Sequence, residues 1–257
     1  MTIQEQYAVL FVGLLFLGML ACLELGLRLG RRTQVAETAK AGLGVIEGAM
    51  FALLGLLVAF TFSGAAQRFE ARRHMIVEEA NDIGTAYLRV DLLPLDAQPE
   101  IRELFGRYVD SRIETYRNFT DVEKTKQNLA ISQELQNEIW QKSVAAAARS
   151  GNTAATMLLI PALNAMIDIT TTRIAANENH PPAVIFAMLA LIALISALMA
   201  GFEMGGSVKR SWLHVLGYSL ILSVSVYVII DLEFPRRGLI RVDAFDHYIV
   251  DVRNSMK

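Results

Sequence analysis

The sequence is poor in what most soluble chemistry needs. It holds one cysteine, Cys22, which sits in an apolar run. One thiol forms no intrachain disulfide and no multi-thiolate zinc site. Charge is scarce, at 19% of residues, where a soluble domain carries about 25%. The two signs nearly cancel, with a formal net charge of −2, so nothing in the total points to a nucleic-acid partner. There is no glycine-rich phosphate loop, no His-Glu-x-x-His, no serine elbow and no cysteine set beside a domain histidine. The polar run Asn164, Asp168, Thr170, Thr171, Thr172 and Arg173 has the spacing of helix–helix hydrogen bonds and not of a catalytic set. An enzyme is therefore not expected.

What is present is apolar. Of 257 residues, 53% are hydrophobic, and the excess sits in four blocks at 7–23, 48–66, 181–202 and 211–230. Each approaches the ~20 apolar residues that cross a bilayer core. Residues 1–6 lack Lys and Arg, and no small-residue cleavage site closes the first block, so it reads as a retained span. The fold class that follows is all-α, with four transmembrane helices and a helical extramembrane domain inserted between helices two and three. The expected divisions are 1–66 (helices one and two), 67–180 (helical domain continuous with helix two), 181–232 (helices three and four) and 233–257 (a polar tail).

No glycine or proline follows Ala66, so the second span should continue as one helix to about Leu92, where Pro94 stops it. Asp96 is a candidate N-cap for a helix with Ile101, Phe105, Tyr108 and Tyr116 on one face. Thr120 to Glu123 matches a capping box, opening a helix with Leu129, Leu135, Ile139 and Val144 inward. Residues 150–152 break it, and Leu158, Ala162, Ala165 and Ile169 mark the next, with a kink or a short first turn expected at Pro161.

The second span carries the clearest pattern. Gly44, Gly48, Ala52, Gly55, Ala59, Ser63 and Ala66 form a small-residue stripe, which lets helix backbones approach closely in a membrane. Ordinary packing is one reading. The other is a helix that lines a pore, with Leu53, Leu57, Phe60 and Thr61 as a constriction that gates by dewetting. Just past the span, Arg68, Arg72, Arg73, Glu78, Glu79 and Asp82 read as interface anchors and helix salt bridges, or as charges of an ion vestibule. Of the charges within spans, Glu24 and Arg28 are spaced to pair, Glu47 and Glu203 fall near span ends, and His214 sits beside Trp212. Asp231, Glu233, Asp243 and Asp246 are hard oxygen donors that could hold calcium, although Arg236, Arg237 and Arg241 lie among them and salt bridging is the plainer reading. No other cofactor is implied.

Residues Leu53 to Arg72 (LLGLLVAFTFSGAAQRFEAR), Glu78 to Arg89 (EEANDIGTAYLR), Leu163 to Arg173 (LNAMIDITTTR) and Asp231 to Ile240 (DLEFPRRGLI) resemble the bacterial bestrophin-like family of membrane proteins. That family is in turn distantly similar to the bestrophin anion channels. The resemblance implies a homo-pentamer with four spans per subunit, a cytoplasmic helical domain, a pore lined by the second span and a permeant inorganic ion. It also implies a multi-pass location in the bacterial inner membrane. The channels' Arg-aromatic-aromatic-Glu-Ala-Arg motif resembles Arg68-Phe69-Glu70-Ala71-Arg72, which has one aromatic fewer. It makes Leu56, Leu57, Phe60 and Phe62 neck candidates, in either of two registers. The channels bind calcium through an acidic run after the last span, and here only Asp231, Glu233, Asp243 and Asp246 stand in that place.

Two functions follow: an ion channel, anion-conducting by resemblance, or a non-conducting sensor or scaffold whose helical domain binds a partner. The arginines and lysines do not settle which side the domain occupies. Arg68, Arg72, Arg73, Arg173, Arg236, Arg237 and Arg241 flank it, while Arg28, Arg31, Arg32, Lys40, Lys209 and Arg210 flank the short connections.

Overall fold

The computed structural model describes residues 3–33, 37–205 and 212–256. The connections at 34–36 and 206–211, with Lys209 and Arg210, lie outside the described residues, as does the side chain of Lys40. The elements are α1 (Ile3–Arg32), α2 (Glu37–Arg89), a 3-10 turn (Val90–Leu92), α3 (Gln98–Arg117), α4 (Val122–Ser150), α5 (Thr153–Glu178), α6 (Ala183–Met204), α7 (Trp212–Glu233), a second 3-10 turn (Asp243–Asp246) and α8 (His247–Ser255). No strand occurs among the described residues.

Four stretches contain helix long and apolar enough to cross a membrane: Gln6–Arg32, Gly44–Leu92, Thr153–Met204 and Trp212–Glu233. The third joins α5 to α6, and its apolar span is α6. The chain divides into two compact units. The membrane unit comprises Met1–Gln67 and His180–Leu239, and the helical unit comprises Arg68–Asn179 and Ile240–Lys257.

In the membrane unit, Leu15, Met19 and Leu23 of α1 pack with Leu189, Ala193 and Ala197 of α6, Val215 and Val226 of α7, and Leu54 of α2. The α1–α6 contact is a glycine seam. A Cβ added to Gly26 would collide with the Leu198 carbonyl, and one on Gly30 with that of Phe202. From the other side, a Cβ on Gly201 would meet the Leu23 carbonyl, and one on Gly205 the backbone of Gly30 and Arg31. Absent side chains let the two backbones touch, the means by which membrane helices associate without a hydrophobic driving force. Glu24 and Arg28 pair at 2.9 Å, as their spacing requires.

In the helical unit, Ile76, Ile83, Ala86 and Val90 meet Ile101, Phe105, Tyr108 and Val109 of α3, Leu135 and Ile139 of α4, and Leu159, Leu163 and Met166 of α5. Local signals set the helix ends. Asp121 caps α4 by accepting from the Lys124 amide at 3.1 Å. Gly151 ends α4 with φ of +64°, where L side chains are strained. Asn152 caps α5 through the Ala155 amide. On α5 Ala162 and Ile169 are buried as expected, while Leu158 is exposed and Leu159 is buried in its place. Val144 also points outward, and Ser143 is buried instead. Ala97, not Asp96, stands at the N-cap of α3, whose first turn carries Pro99 in place of a side-chain cap. Helix α5 runs on through Pro161.

The expected polar tail is not a separate segment. Residues up to Leu239 belong to the membrane unit, and those from Ile240 onward complete the helical unit. Val242 and Ile249 lie in its core, and Arg253 forks onto Asp110 at 2.8 and 3.0 Å.

Candidate functional site

The membrane half of α2 has three faces. One edge is packed: Glu47 and Leu54 are buried, and Phe51, Leu57, Val58 and Thr61 are half-buried. Phe51 meets the Tyr218 ring edge-on at 5.5 Å. The Thr61 hydroxyl donates to the Leu57 carbonyl at 2.7 Å, which satisfies it within the helix.

The other two faces are open within the subunit. At 3.6 residues per turn they stand about a third of a turn from each other and from the packed edge. One is the small-residue stripe. Gly48, Ala52, Gly55, Ala59 and Ser63 are exposed, Gly44 and Ala66 half so. A Cβ on Gly48 or Gly55 would meet nothing within 4 Å. The other is bulky: Leu53, Leu56 and Phe60 are 47%, 52% and 67% exposed. Exposure thus sorts the neck candidates. Leu53, Leu56 and Phe60 share the bulky face, Phe62 lies on the side of the small stripe, and Leu57 and Thr61 flank the packed edge.

At the end of this unit's glycine seam, Glu47 of α2 and Glu203 of α6 line one cavity of about 210 Å³ with Gly26, Leu29, Leu198, Met199 and Phe202. Glu47 lies close to the Gly44 start of the second apolar stretch, as expected, and is buried.

The six vestibule candidates divide sharply. Arg72 and Glu79 are buried in the helical unit. Arg72 closes α5 by donating to the carbonyls of Ala176 (3.1 Å) and Asn179 (3.0 Å). These are carbonyls that the helix itself leaves without partners. Glu79 sits between two arginines that the sequence reading did not assign to it. Arg112 Nε donates to it at 2.6 Å, Arg173 pairs with its other oxygen, and the Tyr116 hydroxyl donates at 2.8 Å. Burial alone would raise the Glu79 pKa. The guanidinium groups of Arg112 and Arg173 outweigh it and hold the carboxyl at about 2. Burial likewise pushes the Tyr116 hydroxyl up, so it stays neutral.

The remaining four are nearer solvent. Arg73 pairs with Glu70 at 2.6 Å and stacks on the Phe245 ring at 4.2 Å. Arg68 is half-buried and Glu78 exposed. Asp82 is half-buried, and its pKa is raised by burial first and by Glu78 and Glu79 next.

The acidic residues in the last turn of α7 and beyond it are each held in the fold. Asp231 accepts from the Leu239 amide at 3.0 Å, and its carboxylate fills the space a Gly238 side chain would need. Glu233 is buried 3.5 Å from His180, whose ring lies against Phe234. Asp243 pairs with Arg241. Asp246 precedes α8 without capping it through its side chain. Among the described residues, no three metal-ligating side chains converge.

These features define a multi-span helical membrane protein with a polar helical unit and an unusually open second helix. A family model for the Bestrophin-like domain matches residues 9–244. The chain belongs to the bestrophin-like family. No curated protein and no solved structure matches it.

Proposed function

We propose that this chain assembles into an oligomeric ion channel, anion-conducting, whose pore is lined by α2. The observation that carries the reading is that α2 offers two different unfilled faces, one of small residues and one of bulky apolar ones. A ring of identical subunits needs two distinct surfaces on each copy, because its interface is heterologous. The stripe at Gly48, Gly55 and Ala59 suits close approach of a neighbouring helix. Leu53, Leu56 and Phe60 then form apolar rings around the lumen, which gate by dewetting. An anion preference, a pentameric number and a cytoplasmic domain are supported only by the family's resemblance to the bestrophin channels.

Reconstitution in planar bilayers tests this. A current is expected whose reversal potential in a sodium chloride gradient follows chloride, and whose conductance increases in Phe60→Ala. Silence across varied pH, calcium and voltage would sink the channel reading and leave a membrane-anchored scaffold. A reversal potential following sodium would remove the anion assignment alone.

A further inference from the structure

Helix α1 is packed on one side only. Leu15, Met19 and Leu23 lie in the core of the membrane unit, and Gly26 meets the α6 backbone. Turned away from them, at helical steps of three and four, stand Leu14, Leu17, Ala21, Leu25, Arg28 and Arg32. All six are exposed in the subunit, Leu14 and Leu17 to 61% and Leu25 to 53%. The row is apolar along the span and ends in two cations on the same face.

The charges at this end do not cancel. Arg28 is matched by Glu24 at 2.9 Å. Arg31 and Arg32, the last two residues of α1, are exposed and enter no ion pair among the described residues. Glu47 and Glu203 line the cavity beside Gly26 and Leu29, and neither pairs with these arginines among the described residues. Over residues 24–47 and 203–214, which hold both short connections, six Lys and Arg stand against four Glu. The surplus is positive.

Such a row matches one kind of molecule in order, apolar chain first and charged head last. Acyl chains cover apolar side chains, and long basic side chains reach from the ends of spans into the headgroup layer. Guanidinium groups fork onto phosphate oxygens. From this we infer that the end of α1 is a binding site for an anionic phospholipid. Its phosphate rests on Arg28 and Arg32, and its acyl chain follows Leu25, Ala21 and Leu17.

A zwitterionic lipid also has a phosphate, but it brings its own ammonium group and leaves the surplus positive charge unmatched. A protein seated on the row would have to bury both arginines together with the leucines. The site lies on α1 and does not involve the open faces of α2. It therefore stands whether or not the protein conducts.

Phosphatidylglycerol is the probe and phosphatidylcholine the comparison. Native mass spectrometry of the full chain in detergent should show phosphatidylglycerol adducts at a concentration about fivefold or more below that needed for phosphatidylcholine. Arg32→Gln should weaken this binding by about fivefold, and adding Arg28→Gln should weaken it further. Arg107→Gln, on the exposed surface of α3, should leave it unchanged. Equal binding of the two lipids overturns the proposal, as does an adduct indifferent to Arg28 and Arg32 or equally weakened by Arg107→Gln. Smaller species in Leu17→Trp would mean that a second copy covers the row, and would also defeat it. If the Gln variants do not fold, salt replaces them. Raised salt should weaken the phosphatidylglycerol adduct of the unaltered chain and spare that of phosphatidylcholine, and an equal response of both overturns the inference. No current is recorded, so failure here and failure of the channel reading are separable.

Discussion

The two halves of α2 obey different rules although they belong to one helix of 53 residues. In the helical unit its inward row is Arg72, Ile76, Glu79, Ile83, Ala86 and Val90, all buried, and its partners α3 and α5 come from the same chain. In the membrane unit only a narrow edge around Leu54 is packed. The lesson is that the helical unit completes its core from one chain, even around charges. The membrane half of α2 instead awaits lipid or further copies. The same residue type marks the contrast: Gly26 and Gly30 of α1 and Gly201 of α6 are filled by opposing backbone, and Gly48 and Gly55 of α2 meet open space.

The contrast breaks most severely at Glu79. Glu79→Gln leaves two buried arginines without their carboxylate, and removing one partner of a buried ion pair costs about 3–5 kcal/mol. Chemical denaturation followed by helical signal should show that loss, and a change under about 1 kcal/mol would mean the cluster is not closed as described. Because Glu79 is held at about 2, below its unfolded value of 4.5, its contribution is complete above pH 4.5. It should drain away as the pH falls from there towards 2. The Gln variant should lack that acid limb.

A smaller effect should follow from Gly201→Ala. Its methyl group enters the α1–α6 seam, where overpacking costs roughly 1–3 kcal/mol. Thermal stability in detergent should drop, and an unchanged midpoint would mean that the seam tolerates separation. Gly55→Ala should do least to the isolated subunit, because its methyl group meets no neighbour and alanine favours helix. Its expected effect is on assembly: native mass spectrometry should show smaller species. Unaltered stoichiometry would argue that the stripe faces lipid.

The spans were legible because twenty apolar residues have few other uses, and the continuity of α2 because no breaker follows Ala66. The break at 150–152 was legible as local chemistry, and the start of α4 to within one residue: the capping box pointed to Thr120, and Asp121 takes the cap. The charge cluster was not, since Glu79 meets partners 33 and 94 positions away. A partial signal existed: Arg72 and Glu79 fall on the 4-3-4-3 row of Ile76 and Ile83, which marks an inward face. Their charge diverted them to the surface in the sequence reading. Helix α8 was hidden because it is short and its apolar content slight, and its burial depends on a core assembled from distant segments.

The discontinuity of the helical unit also imposes a timetable on biosynthesis. Chains emerge from the ribosome N-terminal end first, yet Val242 and Ile249, which fill the core built by α2 to α5, are encoded after α6 and α7. The unit is therefore left with a gap until the last two membrane helices have been synthesised. Closure by α8 comes last, so a subunit whose final helices are mishandled exposes an unfinished core to the cell's proteases.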